Sequence, residues 1–116
     1  MVIITIFSYF CTLIEYIYTM TIQFKHIGLH LGTRVHGAEI RSEIVEAMKL
    51  SDKIVFDFEG VETVSNSFAD ECFAKLTLFF SMEEIKAKTT FINAIPFIKA
   101  VIANSFKARL SLEEAA

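Results

Sequence analysis

Apolar and polar positions fall in blocks along the chain, and the period of each block points to a different element. Residues 21–25 (Thr-Ile-Gln-Phe-Lys) alternate as a short strand does. Gly28, Gly32 and Gly37 punctuate the next segment, which carries His26, His30, Arg34 and His36 and reads as irregular. From Ala38 to Leu50 the apolar residues Ile40, Ile44, Val45, Ala47 and Met48 recur at helical spacing, with Glu39, Arg41, Glu43, Glu46 and Lys49 on the other side. That pattern predicts an amphipathic helix with a solvated, mostly acidic face. Ser51-Asp52 stops it, and the apolar run Lys53–Phe58 reads as a buried central strand. Glu59–Val64 is a turn anchored by Val61 and Val64.

A second helix is predicted to begin at Ser65-Asn66-Ser67. Its stripe of Phe68, Cys72, Phe73, Leu76, Phe79 and Phe80 carries it to about Met82. Thr89 to Asn93 reads as a strand. Pro96 suits the first turn of a last helix with Phe97, Ile98, Val101, Ile102 and Phe106 on one side, and residues 111–116 read as a tail. Strands alternating with helices predict one α/β domain over residues 20–110, a mostly parallel sheet of about four strands with helices packed against it and right-handed crossovers.

Composition changes this picture only at the start. Of the first 20 residues 15 are hydrophobic, all three tyrosines are among them, and Glu15 is their single charge. The 18 residues from Val2 to Thr19 approach the ~17–25 that a membrane-spanning helix needs. Against that stand Glu15, the polar Thr5, Ser8 and Thr12, and the lack of any Lys or Arg before Lys25. Residues 1–19 therefore read as an extension outside the fold, with membrane attachment, extra strands or an interaction segment as the alternatives.

With 116 residues the chain makes one domain, and 11 basic against 14 acidic residues leave a net charge of −3. No basic footprint for a nucleic acid is present. Cys11 and Cys72 have no paired spacing, which points to a reducing, cytoplasmic setting with neither disulfide framework nor zinc site. The three loop histidines lack a cysteine to complete a metal set, and Cys72 on an apolar stripe reads as a buried, inert thiol. Asp57 ends a strand without a second carboxylate or a Gly-rich phosphate loop beside it, so the residues make a thin case for an enzyme and imply no cofactor. The site-like feature is the helix start at Ser65–Glu71. Ser67-x-x-Asp70 reads as a capping box with Asp in place of Glu, which makes Ser67 the N-cap.

Asp57-Phe58-Glu59-Gly60-Val61, then Ser65-Asn66-Ser67-Phe68-Ala69-Asp70-Glu71, with Gly32-Thr33-Arg34 upstream, resembles the STAS-like domains of the DUF4325 group. More distantly the chain is similar to STAS domains of the anti-sigma factor antagonist type. The likeness covers about residues 20–110. In those antagonists the loop reads Asp-Ser-Ser-Gly, and a partner kinase that is also the anti-sigma factor phosphorylates the second serine. Ser65 falls on the aspartate, Asn66 on the first serine, Ser67 on the phosphorylated serine and Phe68 on the glycine, so Ser67 alone matches. Asp70 and Glu71 are expected to repel an added phosphate, whose charge is about −1.5 to −2.

The resemblance implies a non-enzymatic regulatory module that docks a protein partner, a histidine-kinase-like ATPase or serine kinase, through Arg34, Ser65, Asn66, Ser67, Phe68 and Asp70. Ser67 is the implied phosphorylation site. The alternatives are a membrane-associated accessory protein held by residues 2–19 and a small nucleotide-binding protein.

Overall fold

Alternation along Lys53–Asp57 turns Ile54 and Phe56 inward, where both are fully buried, and this run becomes the middle of a parallel sheet. The computed structural model describes residues 19–115; residues 1–18, with Cys11 and nearly all of the apolar segment 1–19, lie outside the described residues, as does Ala116. In chain order the elements are β1 (Thr19–Gln23), a 3₁₀ turn (Phe24–His26), β2 (His30–Leu31), α1 (Arg34–Leu50), β3 (Lys53–Asp57), β4 (Thr63–Val64), α2 (Asn66–Cys72), a 3₁₀ helix (Ala74–Leu78), α3 (Met82–Lys88), β5 (Thr89–Ile92) and α4 (Pro96–Ala115).

The α/β class and the parallel pairing are as the sequence predicts. The sheet has three strands in the order β1-β3-β5, with Met20 opposite Ile54 and Ile54 opposite Thr89. A separate pair, β2 with β4, is also parallel and matches His30 to Thr63 and Leu31 to Val64. Sequence pattern cannot show strands of two residues, which is why both sit in segments read as loop and turn. Val61 and Val64 are buried, as anchors of that turn should be.

Phenylalanine fills the core between sheet and helices. Phe24 stacks on Phe58 with ring centroids 4.7 Å apart, and Phe73 meets Phe56 and Phe91 edge-on at 5.4 Å each. Offset and edge-on rings add to the burial itself by about 0.5–1.5 kcal/mol per pair. The five predicted apolar positions of α1 are all buried, as are Ile98, Val101 and Ile102 of α4. Phe97 is not on that face and is 58% exposed.

Three helix boundaries differ from the sequence reading. The first helix begins at Arg34, not Ala38, because Thr33 caps it: its Oγ1 accepts from the His36 N–H at 3.2 Å. Gly37 is thus inside the helix and not loop punctuation. The second helix does not run from Ser65 to Met82. It ends at Cys72, tightens into the 3₁₀ helix that keeps Leu76 buried while Leu78 and Phe79 turn outward, and α3 restarts from its own cap at Ser81, whose Oγ accepts from the Glu84 N–H at 3.2 Å. The α4 helix continues to Ala115, through most of the stretch read as a tail. Among the described residues no helix is long and apolar enough to cross a membrane.

Candidate functional site

The start of α2 is built by the small sheet. Pairing of β2 with β4 brings the Ser65 N–H to the Leu31 carbonyl at 2.8 Å, and the Ser65 hydroxyl donates to the Gly32 carbonyl at the same distance. Ser65 has extended backbone and its Oγ accepts from the Phe68 N–H at 3.0 Å, so Ser65, not Ser67, is the N-cap. Two serines flank Asn66, and only the one tied to the strand can take the non-helical conformation that a cap needs. Asn66 and Ser67 lie within the first turn, and their side chains bond to nothing among the described residues.

Asp70 does not close a capping box. Arg109 of α4 holds it with two bonds, and Arg34 Nη1 donates to it at 2.9 Å. Glu71, the next residue, is buried and takes bonds from Lys75, from Arg41 at 2.9 Å and from Arg34 at 3.1 Å. Arg41 also donates to the Glu71 carbonyl at 2.7 Å. These bonds are charge-assisted and partly shielded, and they clamp α2 to α1 and α4. Lys75 and the two arginines hold the Glu71 carboxyl down to about 2, against the cost of its burial. Arg109 first, then Arg34, holds Asp70 below its ordinary value. Both carboxylates are thus spoken for by cations, and the repulsion expected toward a phosphate on Ser67 does not follow.

Gly37 lets the clamp close. A Cβ there would lie 3.0 Å from the Phe68 carbonyl oxygen and 3.1 Å from Glu71 Cβ, so α1 and α2 approach to backbone distance at this point.

A cleft of about 570 Å³ opens beside the clamp, bordered by Arg34, Asn66, Ser67, Asp70, Asn104 and Arg109 among others. Four of the six expected docking residues therefore share one surface. Ser65 stands beneath it as the cap. Phe68 is corrected: it is fully buried between α1 and the core, with the His36 ring edge-on at 6.1 Å, and has no surface to offer.

The remaining candidates are dispersed. His26 bonds Gln23 and His30 bonds Thr63, and among the described residues no group of three His, Cys, Asp or Glu side chains is placed to hold a metal ion. Cys72 is buried, which pushes its thiol well above its ordinary value, as befits an inert group. Asp57 is a turn-holder: Oδ1 accepts from the Asn93 amide and the Glu59 N–H, each at 3.0 Å, and these bonds lower its pKa. Sequence reasoning missed Arg41, Lys75 and Arg109. The spacing of Glu71 and Lys75, one helical turn apart, and of Arg34 and Arg41, two turns apart, was a usable signal for the first two. Only the tertiary fold brings Arg109 in.

A family model described as a STAS-like domain of unknown function, DUF4325, matches residues 36–96, more than half of the chain. The match includes Asp70 and Glu71, while Arg34 and Arg109 fall outside it. Neither the curated proteins nor the solved structures yield a match.

Proposed function

Since the chain belongs to the STAS-like family DUF4325, we propose that it is a regulatory interaction module with no catalytic step of its own, which docks a protein partner on the surface around the α2 start. The observation that supports this reading is the gathering of Arg34, Asn66, Ser67 and Asp70 on one cleft, fixed to the core by the ion-pair clamp. A rigid surface with unengaged polar groups suits recognition. The partner is of the histidine-kinase-like ATPase or serine kinase class, and Ser67 is the residue it would modify. A phosphate on Ser67 would share the cleft with Arg34 and Arg109, the setting in which a phosphoserine finds partners.

The test is partner capture by cross-linking and mass spectrometry, followed by affinities for Ser67→Asp and Ser67→Ala. Because Ser65 is the cap, both variants should fold as well as the parent. Docking controlled at Ser67 predicts that Ser67→Asp weakens binding about tenfold while Ser67→Ala keeps it. Equal affinities would leave Ser67 outside the docking mechanism.

A further inference from the structure

The cations of the clamp outnumber the carboxylates they satisfy. Among the described residues, Arg34, Arg41, Lys75 and Arg109 serve only Asp70 and Glu71, two more cations than carboxylates in a chain whose net charge is −3. Arg41 and Lys75 are turned to the buried Glu71. Of the four, Arg34 and Arg109 border the cleft, with side chains 54% and 24% exposed.

Their donors are not used up. A guanidinium carries five N–H groups. Arg34 engages Asp70 and Glu71 through Nη1 alone, and Arg109 engages Asp70 through Nε and Nη2. Nε and Nη2 of Arg34 and Nη1 of Arg109 therefore have no acceptor among the described residues. The Ser67 hydroxyl and the amides of Asn66 and Asn104 border the same cleft and are likewise without a bond there. Spare donors with surplus positive charge around an open cleft fit a small planar anion. A metal cation does not fit, because both Asp70 oxygens already accept from arginine. Ala108 and the 62% exposed Leu112 continue the wall, giving the aliphatic stem behind such an anion something to lie against.

We propose that this cleft receives the carboxylate of an Asp or Glu from an acidic segment of the partner protein, clasped between Arg34 and Arg109 with Ser67 and Asn104 donating from the walls. This rests on the docking reading above and adds the chemistry of the partner. It also accounts for control at Ser67, since a negative group there would compete for the same two guanidinium groups.

The experiment titrates the full chain with dye-labelled hexaglutamate and, as control, hexaglutamine, read by fluorescence anisotropy at two salt concentrations. The protein's net negative charge works against diffuse binding of hexaglutamate, so affinity must arise locally. Hexaglutamate should bind, more weakly at the higher salt, and hexaglutamine should not. Asn104→Asp and Ala108→Glu, at exposed helix positions bordering the cleft, should each weaken binding about tenfold, while Ala87→Glu on α3 leaves it unchanged. Equal binding of the two peptides, an equal loss with Ala87→Glu, or displacement by inorganic phosphate at the peptide's own concentration would overturn the proposal. A captured partner whose affinity ignores Asn104→Asp would overturn it and leave the docking reading standing. Hexaglutamate binding as described, alongside equal partner affinities for the two Ser67 variants, would uphold the carboxylate site and take Ser67 out of its control.

Discussion

Arg109 and Asp70, 39 positions apart in sequence, meet through two parallel bonds, Nε to Oδ1 at 2.9 Å and Nη2 to Oδ2 at 2.8 Å. Through them the last helix is locked to the first turns of α2, and Arg34 closes the same carboxylate from α1. Arg109→Ala should cost about 1–2 kcal/mol, above the usual yield of an exposed pair because Asp70 is largely shielded. Arg109→Lys should recover only part of that, since an ammonium cannot make the two parallel bonds. Urea unfolding of the two variants checks both statements, and full recovery by Lys would mean that charge alone matters here.

The two serines at the α2 start should separate cleanly. Ser65→Ala removes the acceptor of the Phe68 N–H and should cost about 0.5–2 kcal/mol, whereas Ser67→Ala should stay within about 0.5 kcal/mol of the parent. A larger loss for Ser67→Ala than for Ser65→Ala would return the cap to Ser67.

That pair also marks where the sequence was legible and where it was not. Ile54, Phe56 and the five apolar positions of α1 were readable because strand and helix periods repeat over enough residues to be seen. The break after Cys72 was hidden because Phe68, Phe73, Leu76 and Phe80 keep roughly helical spacing whether the backbone winds as α-helix or 3₁₀. The Ser81 cap, with Glu84 three residues on, was the available sign of a restart. At the site, Arg34, Ser67 and Asp70 were found by motif. The cation surplus was not, because it depends on Arg41 and Arg109 arriving from elements 30 and 39 positions away.

Gly37→Ala tests the helix contact that makes the clamp possible. In an isolated helix this change would stabilise by about 1 kcal/mol. Here the new methyl meets the Phe68 carbonyl oxygen at 3.0 Å and Glu71 Cβ at 3.1 Å, neither of which is the movable end of a side chain. Overpacking of that kind costs about 1–3 kcal/mol, so the net change should be destabilising. A higher melting temperature for Gly37→Ala would show that α1 and α2 have room to separate.

Acid should loosen the clamp over a defined window. Glu71 is held at about 2 against an ordinary 4.5, chiefly by Lys75 and then by Arg41 and Arg34. A carboxyl group whose folded pKa is depressed stabilises the fold above its unfolded value and loses that contribution as pH falls through the folded one. Its share is therefore complete above about pH 4.5 and drains away toward pH 2, and Asp70, also lowered, acts with the same sign. Glu71→Gln should be less stable than the parent at neutral pH, with a shallower fall across this window, so that the two curves converge toward pH 2. Urea midpoints measured at intervals from pH 7 to about pH 2 give both curves directly. Parallel curves would mean that Glu71 is not held as an ionised partner of Lys75 and Arg41, and the count of cations over carboxylates in the clamp would have to be drawn again.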